Sequence, residues 1–323
     1  MNLRTIADMN ATILGGLHLI PDDVEAVAGV PRSGLLAATM VALHLNLPLT
    51  DIDGLCEARV FSTGKRPLRF GDAERVLEQP RHVLVVDDCV SLGTELARVR
   101  HRLDGLGHTL TFLTVYAFPE GVNRADLTFE AITRPAVFEW SMMHSPVLSE
   151  VCLDIDGVLC RDATAEEDDD GERYRRFLRE VPPLVKPTGT PRALITSRLE
   201  RYRPETEEWL MRHGIEYGQL IMMDHSTAEE RRRAARQAIF KAEALRRTGA
   251  LLYVESNPVQ ANEIAQLSGT PVLALTAGVV ERPTWRALAA VRFQRLQWWG
   301  RRLRRAPRKI VKLVKERLHG AGD

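Results

Sequence analysis

Long apolar runs are missing from this sequence of 323 residues. No stretch reaches the roughly 18–20 consecutive apolar residues that a membrane-spanning helix needs. The opening residues, MNLRTIADMN, are not followed by the apolar segment of a secretory signal, so we expect none. Cysteine is scarce: the four residues form no C-x-x-C pair, which argues against a zinc finger and favours a reducing compartment. We therefore expect a cytoplasmic protein of ordinary soluble composition.

A large net charge is also missing, since the formal value is +1, but the charges are segregated along the chain. Residues 284–323 contain 12 Lys and Arg against two acidic residues, which leaves 32 Lys and Arg against 41 acidic residues in the rest. The pattern of this tail predicts two basic amphipathic helices around Gly300 and Pro307. Such helices suit peripheral binding to the anionic inner face of a cell membrane. Packing on the acidic body, or in an oligomer, is the second interpretation, and nucleic-acid binding is the least favoured.

Short apolar segments alternate with helical patterns through most of the chain. Because the apolar segments are continuous rather than alternating, they predict parallel strands covered on both faces. The fold class is therefore α/β, with two Rossmann-like parallel-sheet domains in tandem and a basic helical tail at the C-terminus. We expect a first domain over 1–146, a second over 147–283 and the tail over 284–323. An acidic run at 166–172, EEDDDGE, is interpreted as a solvated loop.

Two of the predicted strands lead into acidic residues. In HVLVVDDCVSLGTE (82–95) four apolar residues precede Asp87 and Asp88, and in VCLDIDGVLC (151–160) an apolar run leads to Asp154 and Asp156. In parallel sheets, ligands bind outside the carboxyl ends of the strands. One such segment in each half of the chain predicts two separate active sites.

The first of these segments resembles the signature of the type I phosphoribosyltransferases, which use phosphoribosyl pyrophosphate (PRPP). That signature has an apolar strand, two acids, two mostly apolar residues and a turn that opens a helix. The resemblance implies that Asp87 and Asp88 accept hydrogen bonds from the ribose hydroxyls and balance the charge of bound Mg²⁺. It also implies that backbone N–H groups of the following turn bind the 5-phosphate. The residues of that turn are Ser91, Leu92, Gly93, Thr94 and Glu95.

The segment GVPRSG at 29–34 is similar to the pyrophosphate loop of the same family. The resemblance implies that Arg32 and Ser33 contact the leaving group. Gly29 and Gly34 would allow the backbone to approach it closely.

Two other parts of the first domain supply candidates for substrate binding. The polar stretch 57–71 is similar to the mobile loop that closes over PRPP in the family, with Lys65 or Arg66 as its basic residue. Trp140, in FEWSMMH, is a candidate for stacking on a base or a sugar.

The phosphate turn departs from the family at two positions. The family usually has Thr at the position of Leu92 and often Thr at that of Glu95, so hydroxyl groups are lost and a carboxylate is added near a phosphate. Ser91 and Thr94 supply hydroxyls that compensate. A domain that keeps the fold as a structural unit or as a PRPP sensor is the alternative that this departure leaves open.

The segment LDIDGVL resembles motif one of the haloacid dehalogenase superfamily, and later motifs follow in order. The resemblance implies that Asp154 is the nucleophile that forms an aspartyl phosphate, while Asp156 protonates the leaving group and then activates water. Thr196 and Ser197, in LITSR, would hydrogen-bond the phosphoryl oxygens. Lys241, in IFKAEAL, would offset negative charge between nucleophile and phosphate.

The same resemblance implies a Mg²⁺ site. Its predicted ligands are Asp154, Asp156, Glu255 and Asn257. The family normally has a second acid close to Glu255, where this chain has Ser256 and Asn257. Only 34 residues, 160–193, separate motif one from motif two, so we expect a minimal cap and an open site.

Taken together, the two resemblances predict a bifunctional enzyme with Mg²⁺ as cofactor and PRPP as substrate. The first domain would transfer 5-phosphoribose to an acceptor, and the second would remove the 5-phosphate to leave ribofuranose. This pairing resembles bacterial systems that install ribofuranose in surface polysaccharides, which favours a glycan acceptor, possibly linked to a lipid. Nucleobase salvage through a nucleotide is the alternative activity.

Overall fold

The computed structural model describes residues 2–61, 73–224 and 234–288. The chain divides into two compact units, Met1–Met142 and Met143–Asp323. Both have the α/β architecture. Lys65, Arg66 and nearly all of the predicted basic tail lie outside the described residues. No helix in the described part of the chain is long and apolar enough to cross a membrane.

The first unit contains seven described strands and five described helices. The strands are β1 (Asn2–Arg4), β2 (Ala26–Gly29), β3 (Leu49–Asp51), β4 (His82–Val90), β5 (Thr109–Ala117), β6 (Leu127–Ala131) and β7 (Ala136–Phe138). The helices are α1 (Ile6–Gly16), α2 (Gly34–Leu45), α3 (Ile52–Cys56), α4 (Ala73–Glu78) and α5 (Thr94–Leu103). Strands β2 to β6 form a parallel sheet in the order β3-β2-β4-β5-β6, while β1 pairs with β7 in parallel.

Both faces of this sheet are covered, as the continuous apolar strands predict. Along β4, Leu84 and Val86 pack into one core cluster together with α1 and α2. Val83 and Val85 point to the opposite face and pack with α3 and α5. Both faces of the sheet are therefore buried, which leaves the ends of its strands for ligand binding.

The second unit contains six described strands and four described helices. The strands are β8 (Val151–Leu153), β9 (Ala193–Leu199), β10 (Leu220–Met223), β11 (Leu252–Glu255), β12 (Val272–Ala274) and β13 (Val279–Glu281). The helices are α6 (Glu172–Glu180), α7 (Arg203–Arg212), α8 (Ala234–Thr248) and α9 (Pro258–Ser268). The sheet order is β10-β9-β8-β11-β12-β13.

Strand β13 is the one element of this sheet that runs antiparallel, and the sequence analysis did not predict it. A tight turn connects it to β12, in which the Gly278 N–H donates to the Leu275 carbonyl at 3.3 Å. So short a connection can join only antiparallel strands, because a parallel pair needs a long crossover. The strands that lead to the predicted site residues, β8, β9 and β11, are all parallel neighbours.

Candidate active sites

The acid pair of the first unit lies within β4 rather than after it. The sequence places the end of the strand at Asp88, but β4 continues to Val90 because Cys89 and Val90 still pair with β5. Asp87 and Asp88 are therefore both buried, and successive residues of a strand direct their side chains to opposite faces.

Asp88 is held by donors from two other parts of the chain. The Ser33 hydroxyl donates to its Oδ1 at 2.8 Å, and the Trp140 indole N–H donates to its Oδ2 at 2.7 Å. The structure thus brings three predicted site residues together. Their predicted contacts with pyrophosphate, sugar or base stay predictions.

Asp87 packs beneath the loop that leads into α2. Its Oδ1 accepts a hydrogen bond from the Asp88 N–H at 3.0 Å. A Cβ added at Gly34 would lie 2.9 Å from this Oδ1 and 2.9 Å from the Val86 carbonyl oxygen, so only glycine fits there without a shift. Burial, followed by repulsion from Asp88, raises the pKa of Asp87 to about 8.

The predicted phosphate turn lies between β4 and α5. Gly93 has φ +78° and precedes the first residue of the helix, Thr94. The first backbone N–H groups of a helix have no partner within it and point out of its N-terminus, which suits an anion. The side chain of Leu92 is 65% exposed, and that of Glu95 forms an ion pair with Arg98 at 2.5 Å.

Arg134 lies beside this turn, and the sequence analysis did not select it. Its Nη2 donates to the Ser91 hydroxyl at 2.7 Å, and its guanidinium stacks 3.9 Å from the centre of the Phe118 ring. An ion pair with Glu120 also holds it. Because 43 residues separate Arg134 from Ser91, no local motif could have indicated the contact.

The remaining residues of the predicted pyrophosphate loop, Gly29 and Arg32, lie at the carboxyl end of β2 and in the turn that follows. Gly29 is the last residue of β2, and a Cβ added there would lie 2.8 Å from the Cα of Leu35. Arg32 is exposed in the turn that follows. The loop therefore presents a cation to solvent next to the buried acid pair.

The second site is centred on a buried lysine between two buried acids. Lys241, on α8, donates to Asp154 Oδ2 at 2.6 Å and to Glu255 Oε2 at 2.7 Å. Asp154 follows β8, and Glu255 ends β11, so the carboxyl ends of neighbouring parallel strands deliver both acids. Burial opposes charge on Lys241, but attraction by Asp154 and Glu255 prevails and its pKa lies above the ordinary value.

The positive charge of Lys241 alone does not offset the effects of burial and of neighbouring acids on Asp154. Burial raises its pKa well above the ordinary value, and repulsion from Glu255 and Asp156 acts in the same direction while Lys241 opposes it.

Asp156 is paired with a fully buried arginine that sequence reasoning missed. Arg198 donates from Nη2 to Asp156 Oδ1 at 2.7 Å and from Nε to Oδ2 at 3.0 Å. Behind it, Trp209 lies 5.9 Å from the guanidinium carbon. Burial would raise the pKa of Asp156, but Arg198 holds it below the ordinary value. Arg198 stands two residues after Thr196, yet its burial depends on the packing of α7 against the sheet.

We expect Arg198→Met to lower the free energy of unfolding by about 3–5 kcal/mol, because it removes a fully buried cation and leaves the partly buried Asp156 carboxylate without its partner. Arg203→Met is the matched control. Arg203 also pairs with two acids, Glu200 at 2.5 Å and Glu207 at 3.0 Å, but it is partly exposed, so its loss should cost about 1 kcal/mol or less. Urea titration of the full chain followed by circular dichroism measures both values, and equal losses would contradict this account.

The predicted phosphoryl-binding residues, Thr196 and Ser197, are placed differently. The Thr196 hydroxyl is fully buried and accepts from the Arg198 backbone N–H at 3.2 Å. Ser197 lines the cleft in front of Asp154, and its buried hydroxyl has no hydrogen-bond partner among the described residues. The phosphoryl-binding roles of both residues stay predictions.

A cleft of about 320 Å³ opens in front of these residues. Its lining includes five carboxyl side chains and two cationic ones: Asp154, Asp156, Asp162, Asp168, Glu255, Lys241 and Arg198. Asp162 and Asp168 were not predicted as site residues, since the acidic run that contains Asp168 was interpreted as a solvated loop. An acidic run alone cannot reveal which of its members turns inward.

The chemistry of this donor set fits Mg²⁺. Carboxylate oxygens are the ligands that Mg²⁺ prefers, and the excess of acids over cations favours a divalent ion. As the side chains stand, no group of three His, Cys, Asp or Glu in the described ranges is arranged to hold a metal. Lys241 instead forms ion pairs with Asp154 and Glu255, and Arg198 forms an ion pair with Asp156.

Asn257, a predicted metal ligand, serves in the structure as the N-cap of α9. Its side-chain oxygen accepts from the backbone N–H groups of Val259 at 2.9 Å and Gln260 at 3.1 Å. It also lines the cleft together with Ser256. Its role as a metal ligand stays a prediction.

Comparison with known proteins gives similarity in fold to part of the chain. Purine phosphoribosyltransferase from Pyrococcus horikoshii Ot3 is 21% identical, covering 43% of this chain and 92% of its own, with a TM-score of 0.32. Xanthine-guanine-hypoxanthine phosphoribosyltransferase of Helicobacter pylori is 18% identical, with coverages of 43% and 92% and a TM-score of 0.33. Orotate phosphoribosyltransferase from Aeropyrum pernix is 25% identical, with coverages of 39% and 70% and a TM-score of 0.29.

No protein-family model matches the chain, and no curated protein matches it. The activities of the three similar structures belong to those proteins. What this chain does is therefore inferred from its own site residues.

Proposed function

We propose that this protein transfers 5-phosphoribose from PRPP to an acceptor and then removes the 5-phosphate, leaving a ribofuranosyl group. The observation that carries the proposal is that one chain contains two different acidic centres on parallel sheets. One is a buried acid pair under a glycine-containing loop. The other is a buried Asp–Lys–Glu set lining a cleft.

Three features of the first centre support phosphoribosyl transfer. Asp87 and Asp88 offer carboxyl oxygens to the ribose hydroxyls. The N-terminus of α5 and the guanidinium of Arg134 offer donors and positive charge to a 5-phosphate. In the transfer, the bond between the anomeric carbon and pyrophosphate breaks, and a bond from that carbon to the acceptor forms.

The second centre supports hydrolysis of a phosphate monoester. An Asp154 oxygen attacks phosphorus while the bond to the ribose 5-oxygen breaks, and water then hydrolyses the aspartyl phosphate. Lys241 stabilises the phosphoryl oxygens, to which Ser197 donates a hydrogen bond. Asp156 is the proposed base that takes a proton from water in the second half, because Arg198 holds it as a carboxylate. The proton taken up there is the one that Asp156 would give to the ribose 5-oxygen in the first half of the next cycle.

Asp154, Asp156 and Glu255 are the residues proposed to hold Mg²⁺. When bound, the ion would offset the charge of the phosphoryl group and of the surrounding acids. Burial and the neighbouring acids raise the pKa of Asp154, and a cation held beside it would oppose that shift.

The proposed acceptor is a glycan, free or linked to a lipid, because the second cleft lies in a unit with little chain between motif one and motif two. The basic residues of 284–323 would then bring the protein to an anionic membrane surface. Co-sedimentation of the full chain with phosphatidylglycerol vesicles at low and high salt tests that part, since salt should release the protein.

The order of the two steps gives the direct test of the whole proposal. The full-length protein is incubated with PRPP, Mg²⁺ and membrane-derived glycolipid, and the products are analysed by mass spectrometry. The wild type should yield an acceptor carrying ribose, and Asp154→Asn should yield the same acceptor one phosphate group heavier. Modification of free purine or pyrimidine bases, with no change to any glycolipid, would instead establish nucleobase salvage.

A further inference from the structure

We propose that Trp140 is a positioning residue of the first site, which together with Ser33 fixes the Asp88 carboxylate for the ribose hydroxyls. This inference rests on the proposed binding of PRPP. It gives Trp140 a role through its N–H group rather than through stacking on a base or sugar.

The hydrogen bonds that define this role come from three separate segments. Trp140 follows β7, Ser33 belongs to the loop before α2, and Asp88 belongs to β4. One donor reaches each carboxylate oxygen, Ser33 at 2.8 Å and Trp140 at 2.7 Å. A carboxylate oxygen has two lone pairs, so each oxygen keeps acceptor capacity for a ribose hydroxyl. The two donors therefore orient Asp88 without using up its ability to bind a ligand.

Aromatic neighbours hold the indole in this orientation. The Trp140 ring lies 4.9 Å from Phe138 and 6.2 Å from Tyr116, measured between ring centres. Tyr116 is fully buried, and its hydroxyl lies 3.3 Å from that of Thr12. The Trp140 ring thus packs against aromatic side chains of the protein, which keeps its N–H group in a fixed position.

The acid pair explains why such positioning is needed. Two adjacent buried carboxyl groups repel each other, and a buried charge without donors is costly. Trp140 and Ser33 supply donors to Asp88, while Asp87, which has the Asp88 N–H on one oxygen, shows a pKa raised to about 8. The two donors from separate segments thus make Asp88 the fixed acceptor of the pair.

Titration calorimetry on the full-length protein tests the proposal with two probes, PRPP and inorganic pyrophosphate, both with Mg²⁺. Trp140→Phe keeps an aromatic ring but removes the donor, and we expect it to weaken PRPP binding about 10-fold or more, the size of a lost hydrogen bond to a charged group. Pyrophosphate has no ribose hydroxyls, so its affinity should change less than about twofold. Phe129→Leu is the matched control, because it truncates a partly buried aromatic ring that packs against the same core cluster but leaves both donors of Asp88 and the two rings beside Trp140 in place.

A double-variant cycle separates positioning from general damage. If Trp140 acts through Asp88, Trp140→Phe should have little further effect on PRPP binding in an Asp88→Asn background. Equal weakening by Trp140→Phe and Phe129→Leu, or equal loss of pyrophosphate binding, would overturn the proposal. If the wild type binds PRPP and Trp140→Phe binds it equally well, the proposed role of Trp140 is overturned while the proposed function stands. Failure of the wild type to bind PRPP would overturn both.

A second measurement does not depend on how well Trp140→Phe folds. In protein labelled with ¹⁵N-tryptophan, one indole N–H resonance should shift in Asp88→Asn and also on addition of PRPP to the wild type. If no indole resonance responds to Asp88→Asn, the hydrogen bond does not exist in solution and the inference fails.

Discussion

Replacement of Asp154 by Asn in the full chain should reduce release of inorganic phosphate from ribose 5-phosphate by on the order of 10⁴-fold or more. The amide keeps the shape of the side chain but cannot act as the nucleophile that forms the aspartyl phosphate. The variant is expected to fold, because the amide keeps an oxygen that can accept the hydrogen bond from the Lys241 ammonium.

A phosphate assay with Mg²⁺ present measures this effect, and thermal unfolding of the same samples checks the fold. Asp104→Asn is the control, since it makes the same chemical change at an exposed position of the first unit. Turnover in Asp154→Asn within a few-fold of the wild type would rule out the aspartyl-phosphate mechanism at this site.

The double variant Asp87→Asn/Asp88→Asn should lose PRPP affinity by on the order of 100-fold or more, because the carboxyl oxygens of the pair are replaced by amide groups that bind the ribose hydroxyls more weakly. Titration calorimetry with Mg²⁺ present measures the loss. Retention of wild-type affinity would show that the acid pair does not contact the ribose, and the transferase proposal would fail with it.

Stability provides the control for that experiment. The folded-state pKa of Asp87, about 8, lies above the ordinary value of 3.8, so the native protein holds the proton more tightly than the unfolded chain. Its contribution to stability is fully present below about pH 4 and is lost as the pH rises through 8. Asp87→Asn should therefore melt about 5 °C higher than the wild type at pH 9 and show little difference near pH 4. Weaker binding in a more stable protein would exclude unfolding as the cause.

The sequence alone was sufficient to predict the α/β class and the parallel strands that lead to the acids. The reason is local, because a continuous apolar segment such as that before Asp87 must be buried on both faces. The acids that follow such segments then lie toward the carboxyl ends of the strands. The same reasoning applied to Asp154 and Asp156 after the apolar run that begins at Val151, whereas Glu255 was predicted through the resemblance to the haloacid dehalogenase superfamily.

The partners of these acids were decided by the tertiary structure. Trp140 lies 52 residues from Asp88, and Arg198 lies 42 residues from Asp156. Residues so far apart in the sequence form no local motif. The hydrogen bonds between them depend on how strands and loops pack against one another in the tertiary structure. The extension of β4 to Val90 has the same origin, since pairing with β5 continues past the acids regardless of their polarity. The sequence thus determined which acids reach the sheet edge, whereas packing determined which donors and cations hold them there.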